Sequence, residues 1–163
     1  MTIFNKRLSD YAAFCWPFLV LIAAMGVIRL ALTLGGLPNA TVKWFSMNAV
    51  LWIGVLYYAV RVHTSGFGAY KQLVVIYALQ NFVEQAVVIV GIVLAIVSGT
   101  NNIFSTPEYS FGANAWVHLG AHLTIGMIAG TLMPWIVGSG VLAVTRRIFP
   151  TVRESAARAG QVV

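Results

Sequence analysis

Four long apolar stretches, at about 11–34, 44–62, 72–98 and 114–145, constrain this chain more than any other feature. A helix needs about 20 apolar residues to cross a bilayer, and hydrocarbon tolerates only a backbone whose hydrogen bonds are satisfied internally. Each stretch is close to that length or beyond it. The composition agrees, with 60% of the 163 residues hydrophobic and 9% charged, against about 25% charged in ordinary water-soluble domains. The expected fold is all-α: an integral membrane antiparallel four-helix bundle over residues 1–150, followed by a short basic tail over 151–163. The fourth stretch is roughly 48 Å long if wholly helical, so it must tilt, kink or extend past the bilayer, and Pro134 is the expected kink point.

The connectors carry turn chemistry. Gly35-Gly36-Leu37-Pro38-Asn39 ends the first span, and Thr64-Ser65-Gly66-Phe67-Gly68 separates the second from the third. Gly99 to Ala113, with Asn101, Asn102, Pro107, Glu108 and Gly112, is the longest connector. The first span follows Lys6 and Arg7 as a signal peptide would, but its apolar run is longer than a typical h-region, so an uncleaved span is expected.

Basic residues set the expected orientation. Lys6, Arg7, Arg61, Lys71, Arg146, Arg147, Arg153 and Arg158 fall on one side of a four-span arrangement, and Lys43 alone on the other. The positive-inside rule then places both termini in the cytoplasm. The bare signals and short connectors suggest a multi-pass protein of a prokaryotic inner membrane. A net charge of +6 held at helix ends rather than on one face points to membrane lipids as partners and away from nucleic acid.

Polar residues within spans are costly in lipid and mark candidate sites. In the third span Asn81, Glu84 and Gln85 lie three and four residues apart on one helix face, with Gln80 beside them. In the fourth, His118 and His122 are one turn apart, roughly 6 and 12 Å below the helix start. Arg29 reaches the same depth from the outer end of the first span, and Asn48 from that of the second. These seven residues, Gln80 apart, form the predicted ligand-binding site. It is a polar pocket in the outer half where Arg29 meets an anionic group or Glu84 and where Glu84 relays protons beside the histidines, and it is expected to bind or transport a small solute, proton or amphiphile.

A structural alternative stands beside it: the same residues satisfy one another and lock the helices of an accessory or self-associating subunit. A metal- or haem-bearing oxidoreductase is the third reading. Histidines at i and i+4 are a metal-ligand spacing, yet Leu119 stands where a zinc protease has its glutamate. Neither a metal nor another cofactor is expected. His63 lies at the opposite end of its span from the other two histidines, so one subunit cannot sandwich a haem between them. The lone Cys15 excludes an internal disulfide, and phosphate loops and nucleophile elbows are absent. An enzyme is not expected. Gly126 and Gly130 form a GxxxG pair, which serves close helix packing either within the bundle or in a homo-oligomer or larger membrane complex. Asn39-Ala40-Thr41 matches a glycosylation triplet by pattern alone.

Overall fold

A computed structural model describes residues 1–106 and 114–149. The expected tail, with Arg153 and Arg158, and Pro107, Glu108 and Gly112 of the third connector lie outside the described residues. A small hairpin, β1 (Thr2–Ile3) and β2 (Lys6–Arg7), precedes α1 (Leu8–Leu34). The short α2 (Asn39–Val42) leads into α3 (Met47–Thr64), and α4 (Tyr70–Ser98) follows. The last helix, Ala115–Ile148, comprises α5 (Ala115–Ala121), a π-helical turn (His122–Gly126) and α6 (Met127–Ile148).

The helices begin and end where local chemistry satisfies their terminal groups. The carboxylate of Asp10 accepts the Arg7 amide at 2.8 Å, starting α1 several residues before the apolar run. Ser46 Oγ accepts the Ala49 amide at 3.2 Å, so the second span is broken at 43–46 into α2 and α3 rather than running on from Trp44. The Gln72 side chain accepts the Ala69 amide at 2.8 Å, and Gly99, at φ +67°, closes α4 in the left-handed conformation. Phe4 and Asn5 both have positive φ, which makes the N-terminal hairpin a tight reversed turn that the hydropathy pattern does not reveal.

The four long helices form an antiparallel bundle. Around it the order is α1, α3, the last helix and α4, with α3 and α4 also touching across the shorter diagonal. Both termini of the described chain and the α3–α4 turn lie at one end, the base; α2 and the connector after Ser98 lie at the other, the crown. All four helices are long and apolar enough to cross a membrane, at 27, 26, 29 and 34 residues counting α2 through α3 as one. Their flanks expose large apolar side chains such as Val20, Val27, Ile53, Phe82, Ile125 and Ile136. A surface of that kind is at ease in hydrocarbon and is a liability in water.

The core is thin and differs between the ends. Toward the base it is aromatic: Phe14 stacks on Phe67 with ring centroids 4.0 Å apart, and Phe18 packs on Tyr57 and Tyr58. Toward the crown it is interrupted by amides, histidines and one carboxylate.

Candidate functional site

Side chains of the predicted polar stripe on α4 separate into two groups. Asn81 and Gln85 point at the last helix, where Gly126 and Gly130 make room for them. A Cβ at Gly126 would stand 2.9 Å from the Gln85 side-chain oxygen, and one at Gly130 would collide with the Asn81 amide. Gly138 gives the same clearance to the Tyr77 ring, whose hydroxyl donates to the Val55 carbonyl at 2.9 Å. The GxxxG pair is thus used within the bundle, for close approach of α4 and the last helix.

A chain of hydrogen bonds follows, and its direction can be deduced. Asn81 Nδ2 donates to the Gly126 carbonyl at 3.2 Å, the Met127 carbonyl at 3.0 Å and Thr131 Oγ1 at 3.2 Å. Backbone carbonyls only accept, so the nitrogen of Asn81 must face the last helix and its oxygen must face Gln85. Gln85 Nε2 donates to that oxygen at 3.2 Å, which turns Gln85 Oε1 toward His122. His122 Nδ1, 2.6 Å away, must then carry the proton. In the neutral form of the ring, Nε2 is the lone-pair nitrogen. The carbonyls at the end of the π turn therefore assign a tautomer two residues removed from them along the hydrogen-bond chain. Nothing in the local sequence signals this turn. Pro134, the expected irregularity, is buried within α-helical α6.

The second group faces open space. One cavity of about 270 Å³ is lined by Arg29, Asn48, Glu84, Phe104, His118 and His122, among others. A second, of about 360 Å³, shares Asn48, Glu84, Val88 and His122 with it and continues past Leu51, Trp52 and Met133. Trp52 and Met133 are themselves exposed on the bundle's flank, so the combined cleft reaches the lateral surface. Arg29 acts on Glu84 through its charge, and its guanidinium lies 5.5 Å from the centre of the Phe104 ring. The His118 and His122 rings meet edge to face at 4.7 Å. Five predicted residues, Arg29, Asn48, Glu84, His118 and His122, thus share one cavity. Asn81 and Gln85 line its second part while spending their hydrogen bonds on helix packing.

The crown connector, by its sequence only a long loop, supplies a roof. Asn102, buried, donates from Nδ2 to the Gly91 carbonyl at 2.7 Å and accepts the Phe104 amide on Oδ1 at 2.9 Å. This folds Ile103 and Phe104 into the bundle, where Phe104 fills the space that Gly91 leaves empty. The Phe104 carbonyl, 3.1 Å from His118 Nε2, requires that nitrogen to be the donor. The available signal was an apolar Ile-Phe pair inside a polar connector, facing a glycine in α4.

Among the described residues, no three side chains of His, Cys, Asp and Glu converge as metal ligands, so Glu84 does not complete a metal triad with the two histidines. His63 is occupied at the base, where Nε2 donates to the Phe149 carbonyl at 2.7 Å and clips the end of α3 to that of α6. Cys15 is buried, its thiol donating to the Tyr11 carbonyl at 3.0 Å. What the crown cleft offers is hydrogen-bonding groups and charges of both signs beside apolar walls. No family model, curated protein or solved structure matches the chain.

Proposed function

We propose that this chain is a multi-pass protein of a prokaryotic inner membrane, with its base in the cytoplasm and its crown outward, and that the crown cleft binds a small solute or amphiphile. The base carries Lys6, Arg7, Arg61, Lys71, Arg146 and Arg147, while the crown carries Lys43, which supports that orientation by the positive-inside rule. The observation that carries the binding function is the pair of cavities joined through Asn48, Glu84, Val88 and His122. Residues that served only to lock helices would be consumed in contacts. Asn81 and Gln85 spend their hydrogen bonds on helix packing, and for them the structural alternative holds; Glu84 lines open volume, as do His118 and His122, each of which has one ring nitrogen bonded to the bundle. Ligands usually occupy such concave sites where a few polar groups converge among apolar walls.

Native mass spectrometry of the protein released from its own membrane tests this. A stoichiometric small-molecule adduct is expected on the wild type and is expected to disappear in Asn48→Trp, which blocks the cleft from an exposed position. A wild type free of any adduct under conditions that preserve its fold would overturn the binding function and leave a structural subunit. External labelling of Asn48→Cys, in a Cys15→Ala background, tests the orientation: modification by a membrane-impermeant thiol reagent from outside is expected, and modification only from the cytoplasmic side reverses the topology.

A further inference from the structure

A groove at the base lies apart from the crown cleft. It holds about 610 Å³ against the end of α3 and is lined by Tyr57, Val60, Arg61, Thr64 and Ser65. Positions 57, 60, 61 and 64 fall on one face of the helix, and exposed Leu56 and Ile53 continue that flank toward the crown. A run of side chains suited to hydrocarbon thus ends in a cation in the last turn of α3.

Arg61 is held in place there. Its guanidinium lies against the Phe14 and Tyr57 rings, and Nη1 donates to the Tyr57 hydroxyl at 2.8 Å. The Tyr57 ring is itself stacked on Phe18, with centroids 5.5 Å apart. Among the described residues, neither the other guanidinium N–H groups nor the Tyr57 O–H has an acceptor. Thr64 and Ser65 give their hydroxyl protons to the Val60 and Arg61 carbonyls, so the donors that the groove presents are those of Arg61 and Tyr57. A fixed guanidinium with a phenolic proton beside it matches the oxygens of a phosphate. The described lining holds no carboxylate, so the groove has nothing to pair with a cationic group. Lys6, over the Phe67 ring that stacks on Phe14, adds a second positive charge nearby.

We infer that this groove binds the phosphate of an anionic phospholipid, drawn from the leaflet that meets the base, with an acyl chain lying along Val60, Leu56 and Ile53. A net negative head satisfies Arg61 and Lys6, whereas a zwitterionic head brings a cation that the groove cannot pair. The site rests on the membrane placement proposed above, and it depends neither on the crown cleft nor on which side of the membrane the base faces.

The experiment titrates the full chain in detergent with three probes: phosphatidylglycerol, phosphatidylcholine of the same chains, and glycerol phosphate, which has no chains. Native mass spectrometry counts the complexes, and the known mass of each probe separates it from any molecule carried over from the cell. Phosphatidylglycerol is expected to bind most tightly. Arg61→Gln keeps an amide donor and loses the charge, and it is expected to weaken phosphatidylglycerol binding about tenfold, the worth of one charge-assisted bond. Tyr57→Phe keeps the ring against Phe18 and removes the hydroxyl, for a loss of about threefold. Lys71→Gln removes the same charge from the base outside the groove and should change binding less than about twofold. Equal binding of the two lipids, or an equal loss in Lys71→Gln and Arg61→Gln, would overturn the site and leave only diffuse attraction to a basic surface. Glycerol phosphate binding as tightly as phosphatidylglycerol would overturn the lipid as occupant while keeping a phosphate site. Recovery of the chain from the soluble fraction of cells, rather than from membranes, would remove the membrane placement whatever the titration gives.

Discussion

The two ends of the bundle are held together by different physics. At the base, aromatic rings do the packing and cations lie on them: Lys6 sits 4.3 Å from the centre of the Phe67 ring, and Arg61 lies 4.9 Å from that of Phe14 and 5.4 Å from that of Tyr57. Many weak contacts share the load there, so the loss of one leaves neighbours to compensate. At the crown, α4 and the last helix are joined by a few directional bonds through glycine gaps, each depending on the next. A polar network of that kind is sensitive to loss of a single member. The contrast teaches where this protein tolerates change and where it keeps an open, polar cleft.

The largest effect is expected from Asn81→Leu. It removes the donor to the Gly126 and Met127 carbonyls, strands the Gln85 amide and presses a branched side chain on Gly130. A loss of about 3 kcal/mol in detergent unfolding is expected, from unsatisfied buried groups together with overpacking. A loss below about 1 kcal/mol would show that the crown is no more brittle than the base. Gly130→Ala acts on the same joint from the other side, leaving every hydrogen-bonding group in place. Its methyl must displace the Asn81 amide, and about 2 kcal/mol is expected from overpacking alone. Measured together, the two substitutions should be strongly non-additive, because each disrupts the same contact.

Gly91→Ala isolates the roof. The added methyl competes with the Phe104 ring, so the Asn102–Ser105 segment should lift. Roughly 1 kcal/mol of stability is expected to go, and amide hydrogen exchange in that segment should rise while the α4 interior stays protected. Unchanged exchange would mean that Asn102, and not Phe104, holds the roof down.

Much of the fold was legible because apolar runs long enough to cross a bilayer leave few choices but long helices, and the shared level of Arg29, Asn48, Glu84, His118 and His122 along the bundle follows from a constant rise per residue. Depth does not give azimuth. Neighbours on the α4 stripe go different ways, with Asn81 and Gln85 bonding along the last helix and Glu84 lining the cavity beside Arg29. That division depends on how α4 is rotated against Gly126 and Gly130 and on the π turn at His122–Gly126, which no local propensity signals. The roof was missed for a related reason: Asn102 is an ordinary loop residue until its partner, the Gly91 carbonyl, is placed eleven residues upstream.

The smallest effect should come from the base, and it gives the sharpest test of the comparison. Arg61 Nη1 donates to the Tyr57 hydroxyl at 2.8 Å, and its guanidinium lies near two rings, all at an exposed position. Arg61→Gln removes the charge and both ring contacts. Exposed cation–π pairs are worth about 0.5–1 kcal/mol, and Phe14 remains stacked on Phe67, so a loss of no more than about 1 kcal/mol is expected. The crown should not notice: the small-molecule adduct seen by native mass spectrometry should match the wild type. A loss as large as that of Asn81→Leu would mean that the base is also a cooperative network. A change in that adduct would mean that the two ends are coupled along α3, the helix that carries both Arg61 and Asn48.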